Sequence, residues 1–197
     1  MASKTIIIPE VILAFTQNLF TPGLPPSAGP DAQKRWSCQF LVDADSPQKK
    51  LIDDAIQEIA EREWKDKAKF TLSSIEGNSN KMCFIDGNKR DPSKYAGYAG
   101  RWGLSANRKL KDGPPGTVDK AKNPVGEASG LLYSGAIVNA KVDLFTYDTP
   151  SRGIACGLVV VQFRKHGQAF GGASAVHVDD MEDLSFEDDE EDASPMI

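Results

Sequence analysis

Two stretches, Tyr133 to Tyr147 and Gly153 to Arg164, do most to limit what this chain can fold into. The first holds Ile137, Val138, Val142, Leu144 and Phe145, and the second Leu158, Val159, Val160, Val161 and Phe163. Runs this rich in β-branched and aromatic residues read as strands, because such side chains pack well on a pleated, buried surface. Asp148-Thr149-Pro150-Ser151 links the two, and Lys165-His166-Gly167 ends the second.

Earlier segments add to the sheet. In Lys34 to Val42, Trp36, Cys38 and Phe40 alternate with Arg35, Ser37, Gln39 and Leu41, the period of two of a strand with one buried face. Ile6 to Phe20 alternates less regularly and supplies one strand, or a strand with a short turn. Met82 to Ile85 is a short apolar run closed by Asp86-Gly87-Asn88, a hairpin-type turn. Thr21 to Pro30, with Pro22, Pro25, Pro26 and Pro30 beside Gly23 and Gly29, reads as an exposed loop. One amphipathic helix is expected from about Pro47 to Lys67. Ser46 caps it, Pro47 sits where a missing N–H costs nothing, and Leu51, Ile52, Ala55, Ile56, Ile59, Ala60 and Trp64 recur at three-and-four spacing. From Lys69 onward the pattern reads as strand and turn. Asp43-x-Asp45 lacks the glycine and distal glutamate of a calcium loop. The inventory predicts an α+β, mainly β domain: an OB-type Greek-key antiparallel barrel with one helix.

Charge divides the chain. The net value of −5 conceals ten acids and no Lys or Arg from His177 to Ile197, which leaves the other 18 acids facing 23 cations, a balance of +5 over residues 1–176. The reading is a basic domain over 1–176 and a disordered acidic tail over 177–197, with too little apolar content to repay ordering. Such asymmetry fits a nucleic-acid binder that limits its own non-specific binding, or a solubilising tail on an ordinary domain.

Several classes are disfavoured. The apolar run Thr5-Ile6-Ile7-Ile8 is too short for a signal peptide and no stretch approaches membrane-spanning length, so a soluble cytoplasmic protein without membrane contacts is expected. Cys38, Cys83 and Cys156 are widely spaced among strand-like residues and read as buried reduced thiols. No ligand spacing suggests zinc, no cofactor motif is present, and neither a nucleophile elbow nor a Walker loop occurs, so an enzyme is the least favoured class.

Lys81 to Lys122 carries the chemistry. Lys89, Arg90, Lys94, Arg101, Arg108, Lys109 and Lys111 are interleaved there with Tyr95, Tyr98 and Trp102. Cations neutralise phosphates and flat rings stack on unpaired bases, the mixture that single-stranded nucleic acid requires. Tyr95 and Tyr98 are expected to bind; for Trp102, core packing and base stacking are equally open. Trp36 and Trp64 are assigned to the core. Arg35, Arg152, Arg164 and Lys165 extend the basic track.

The order of these segments resembles the bacteriophage OB-fold single-stranded-DNA-binding proteins with acidic C-terminal tails. The resemblance rests on Pro9 with Phe15 to Phe20, the strand through Trp36 to Val42, the helix, Gly100-Arg101-Trp102, Pro114-Pro115, Tyr133-Ser134-Gly135, Gly153-Ile154-Ala155 and the acidic run. It implies sequence-tolerant binding to single-stranded DNA in phage replication or recombination, within the host cytoplasm. It also implies contact between the tail and replication proteins such as a polymerase or helicase. The tail residues concerned are Phe186, Asp188, Asp189, Glu190, Glu191, Asp192, Met196 and Ile197, although the chain ends Pro195-Met196-Ile197 where the better-known pattern ends in an aromatic residue. The alternatives are an RNA-binding OB module and a virion or assembly protein with an acidic interaction arm.

Overall fold

The computed structural model of the chain describes residues 1–24 and 32–170. Among the described residues the elements run β1 (Ser3–Gly23), β2 (Arg35–Asp43), α1 (Pro47–Trp64), α2 (Ala68–Ile75), β3 (Phe84–Asp86), β4 (Arg101–Lys109), β5 (Gly116–Val118), β6 (Ile137–Tyr147) and β7 (Gly153–Lys165). The sheet order is β3-β4-β2-β1-β6-β7-β5, and a further pairing of β4 with β7 closes five strands into the expected OB-type barrel. The barrel is not wholly antiparallel. The closing seam, Asn107 against Gly157, is parallel, as is the pairing of β5 with β7.

Strand β1 joins the two halves of the barrel. Its first part pairs with β6 and its second with β2. At roughly 3.3 Å per residue a straight strand of this length would run about 70 Å, too far for a small barrel. Irregularities coil it. The register slips between Ile8 and Val11, between Ala14 and Asn18 and between Asn18 and Gly23, and the backbone takes positive φ at Glu10 (52°) and Phe15 (53°). Ile6 to Phe20 is therefore one bent strand, with no turn inside it. It also absorbs Thr21, Pro22 and Gly23 from the expected loop; residues 25–30 of that loop lie outside the described residues.

The helix starts as expected, with the Ser46 side chain accepting from the Lys49 N–H at 3.2 Å. It extends further than expected. Lys65, at φ 48°, interrupts it, a single tight turn spans Lys65–Lys67, and α2 then continues with Ala68, Thr71 and Ile75 buried. The strand-like composition of Phe70-Thr71-Leu72 hid this second apolar stripe. Asp86-Gly87-Asn88 is likewise not a hairpin turn. It opens a tight turn and then a connection that reaches β4 only at Arg101, and a Cβ on Gly87 would run into the carbonyls of Tyr98 and Arg101.

Inward side chains such as Ile8, Leu13, Phe40, Leu104, Val138, Leu144 and Leu158 fill the barrel, and α1 packs on β1, β6 and β2. Trp36 and Trp64 are buried as expected, the Trp64 indole N–H donating to Asp148 at 3.2 Å. All three cysteines are free and buried. Burial pushes the Cys83 thiol up to about 12 and raises those of Cys38 and Cys156 as well. Since the thiolate is the reactive form, the native chain should leave all three unmodified by an aromatic disulfide reagent at neutral pH and react at three sites in denaturant. A fast native reaction would contradict this placement.

Candidate nucleic-acid interface

Because strand side chains alternate, the residues that do not fill the barrel line its outside. On β2 these are Arg35, Ser37, Gln39 and Leu41. The β2–β4 register sets them opposite Lys109, Asn107, Ser105 and Gly103 respectively. Strand β1 adds Asn18 opposite Ser37, Ala14 opposite Gln39 and Ile12 opposite Leu41. The result is a row about 20 Å long at roughly 3.3 Å per residue, uncharged and polar in its middle, with cations at one end and aromatic rings at the other. At the cationic end Lys34 and Lys111 join Arg35 and Lys109; a cleft there is lined by Gln33, Lys34, Lys109, Leu110 and Lys111. The Arg35 guanidinium donates to Asn107 Oδ1 at 3.4 Å.

At the other end the connection between β3 and β4 folds over the barrel wall. Tyr98 is only 2% exposed, lies against Leu41 and Ala14, and donates its hydroxyl proton to Gln39 Oε1. Its ring occupies the space that Gly103 leaves, since a Cβ there would stand 2.7 Å from Cε1. Tyr95 is half-buried, its ring centroid 5.2 Å from Tyr98 and 5.4 Å from Phe15, with the Arg90 guanidinium 5.0 Å above it. Phe15 reaches this cluster through its left-handed backbone, a conformation that costs an aromatic residue about 1–3 kcal/mol and that the bulge holds in place. Beside it a cleft of about 240 Å³ is lined by Ala14, Phe15, Gln17, Ser93, Lys94, Ala96, Ser134 and Phe170.

The residues expected to bind separate into groups. Lys89 and Lys94 are exposed on the covering connection, and Lys109 and Lys111 at the cationic end. Arg90 and Tyr95 stack on each other at the aromatic end. Two residues are placed otherwise than expected. Tyr98 is a core residue of the covering connection. Arg108 spends its guanidinium on backbone carbonyls, Gly113 at 2.9 Å, Asp112 at 2.7 Å and Leu158 at 3.3 Å, and so fixes the chain that follows β4. Trp102 has the opposite parity to Gly103 and Ser105. It packs on Phe84 at 5.2 Å under the Lys49 ammonium at 4.3 Å, in a groove shared with Ile56 and Leu72. Arg101 ties the covering connection down through Asp43 and the Gly97 carbonyl, both at 2.9 Å. Arg152 pairs with Asp148, and Arg164 and Lys165 with Glu10, away from the row.

Lys34, Gln39, Phe15 and Phe170 were not singled out from the sequence. The alternation from Lys34 to Val42 held the signal for the first two; Phe15 and Phe170 are brought in by a bulge and a strap that leave no periodic trace. Among the described residues no group of three or more His, Cys, Asp or Glu could hold a metal, and no helix is long and apolar enough to cross a membrane. Phe186, the acidic run and the terminal Met196 and Ile197 lie outside the described residues.

A family model described as Enterobacter phage Enc34, ssDNA-binding protein, matches residues 4–194. Protein p50 of Acyrthosiphon pisum secondary endosymbiont phage 1 is 38% identical over 119 residues, which are 60% of this chain and 61% of that protein. The match therefore spans less than two thirds of that relative. Among solved structures, the single-stranded DNA-binding protein from bacteriophage Enc34 in complex with ssDNA superposes with a TM-score of 0.66 at 20% identity, covering 85% of this chain and 89% of the other. Gp2.5, a single-stranded DNA binding protein encoded by bacteriophage T7, gives 0.55 at 15% identity, covering 94% and 98%. At these identities the structures share the fold.

Proposed function

Since the chain belongs to the Enterobacter phage Enc34 ssDNA-binding protein family, we propose that it binds single-stranded DNA along the outer face of β1, β2 and β4 without reading its sequence. The observation that carries this reading is the β2–β4 register, which sets Arg35 opposite Lys109 at one end of a polar row whose other end is aromatic. Phosphates engage the cations. Ser37, Gln39, Ser105 and Asn107 donate to or accept from any base edge, and rings at the far end stack on bases, a sequence-tolerant interaction.

The role is in phage DNA replication or recombination in the host cytoplasm, with the domain over 1–176 and the tail over 177–197 acting together. Phe170 stands at the aromatic cleft, nine residues before Asp179, so the ten acids begin within about 30 Å of the DNA track even in a fully extended chain. At so high a local concentration they compete with DNA for the cations. Once displaced, Phe186, Asp188, Asp189, Glu190, Glu191, Asp192, Met196 and Ile197 are open to a polymerase or helicase.

Two titrations test this. By fluorescence anisotropy with equal-length probes, the full chain should bind single-stranded DNA more tightly than duplex DNA or RNA; tighter duplex binding overturns the reading. A chain ending at Val176 should bind single strands more tightly than the full chain at low salt, the two converging as salt rises. Equal affinity at every salt concentration removes competition from the tail's role.

A further inference from the structure

We propose that the cleft between Phe15 and Phe170 seats one unpaired base, with Lys94 at its rim holding the neighbouring phosphate. The proposal rests on the outer-face reading above and assigns its stacking site. The cleft is continuous with the polar row, because Ala14 lines the one and pairs with Gln39 in the other.

Both aromatic walls are held in place by devices the core does not need. Phe15 has φ 53°, in the left-handed region that an aromatic side chain rarely occupies, at the point where the β1–β2 register slips. Bulges re-aim side chains, and this one turns Phe15 onto the outer face, where Tyr95 buttresses it. Phe170 belongs to no strand yet is fastened twice. Its N–H donates to the Ser134 carbonyl at 2.9 Å, and the Gly167 N–H just before it donates to the Tyr133 hydroxyl at 3.0 Å. Its ring lies over Gly97, where any Cβ would overlap it.

Size and chemistry agree with this occupant. A volume of about 240 Å³ falls below the ~300 Å³ at which drug-sized pockets begin, and suits a single planar base. Gln17, Ser93 and Ser134 supply uncharged hydrogen-bonding groups, and Lys94 is exposed at the edge. The nearby Asp91 carboxylate is turned into its own loop by the Ser93 N–H and hydroxyl, at 3.0 and 2.7 Å.

The test uses the full chain and oligothymidylate. Phe15→Leu and Phe170→Leu keep apolar bulk and remove the stacking face; each is expected to weaken binding about fivefold to hundredfold. Photocrosslinking of wild-type protein to a bromodeoxyuridine oligonucleotide should place adducts on peptides holding Phe15, Lys94 or Phe170. If both leucine variants fold and bind as wild type while Lys34→Ala and Lys109→Ala weaken binding, the cleft proposal falls and the outer-face reading stands. If all four bind as wild type, the outer-face reading falls with it. Should a leucine variant fail to fold, adduct position decides: adducts confined to other peptides overturn the proposal.

Discussion

Replacing Tyr98 with alanine is expected to destabilise the folded chain by about 3–5 kcal/mol, the usual range for removing a large buried aromatic. The ring is 2% exposed, packs on Leu41 and Ala14, and fills the space over Gly103, so its loss opens a cavity beneath the covering connection. It also strips Gln39 of its hydroxyl partner. For a chain of this size the melting temperature should fall by about 6–20 °C, read by circular dichroism. Tyr98→Phe keeps the ring and loses only the hydrogen bond, so about 0.5–1.5 kcal/mol is expected and DNA affinity should change little. If Tyr98→Ala melted as wild type but lost affinity, the ring would be a base-stacking residue after all.

The second large effect is electrostatic. Replacing Lys34, Arg35, Lys109 and Lys111 together with glutamine removes the cationic end of the row. At about 0.7 per phosphate contact, the slope of log affinity against log salt should become shallower by about 2.8. Over a fourfold rise in salt the wild type then loses about 50-fold more affinity than the variant, while at low salt the variant is much the weaker binder. The sign follows from counterion release: each phosphate neutralised frees a condensed cation, which salt opposes. A matched change at Lys50 and Lys65, exposed on the helix side of the molecule, should leave the slope as it is. Equal slopes for all three proteins would exclude the cationic end from the DNA track.

The sequence carried the barrel because strands with one buried face announce themselves by period, as Trp36, Cys38 and Phe40 do. It carried the start of the helix because Ser46 and Pro47 act locally. What it concealed depends on partners far along the chain. Whether Tyr98 is buried is decided by a missing Cβ at Gly103 and by Leu41 on another strand. Whether Arg108 is free is decided by three carbonyls, one of them on β7. Trp102 and Tyr98 are near in sequence and end on opposite sides of the barrel wall, because Tyr98 lies over Gly103 while Trp102, one position earlier on β4, has the opposite parity. The basic, aromatic composition of Lys81 to Lys122 thus pointed to the chemistry without separating its binding residues from those that hold the connection down. Phe15, from β1, and Phe170, beyond β7, reach the same cleft because β6 lies between those strands and the segment before it holds both.

Lysine acylation footprinting of the full chain, with and without saturating single-stranded DNA, tests the outer face as the DNA track most directly. Lys34, Lys94, Lys109 and Lys111 should be protected, while the exposed Lys50, Lys65 and Lys141, which lie off that face, keep their reactivity. Protection of Lys50, Lys65 or Lys141 with Lys34 and Lys109 still reactive would place the DNA elsewhere and contradict the account.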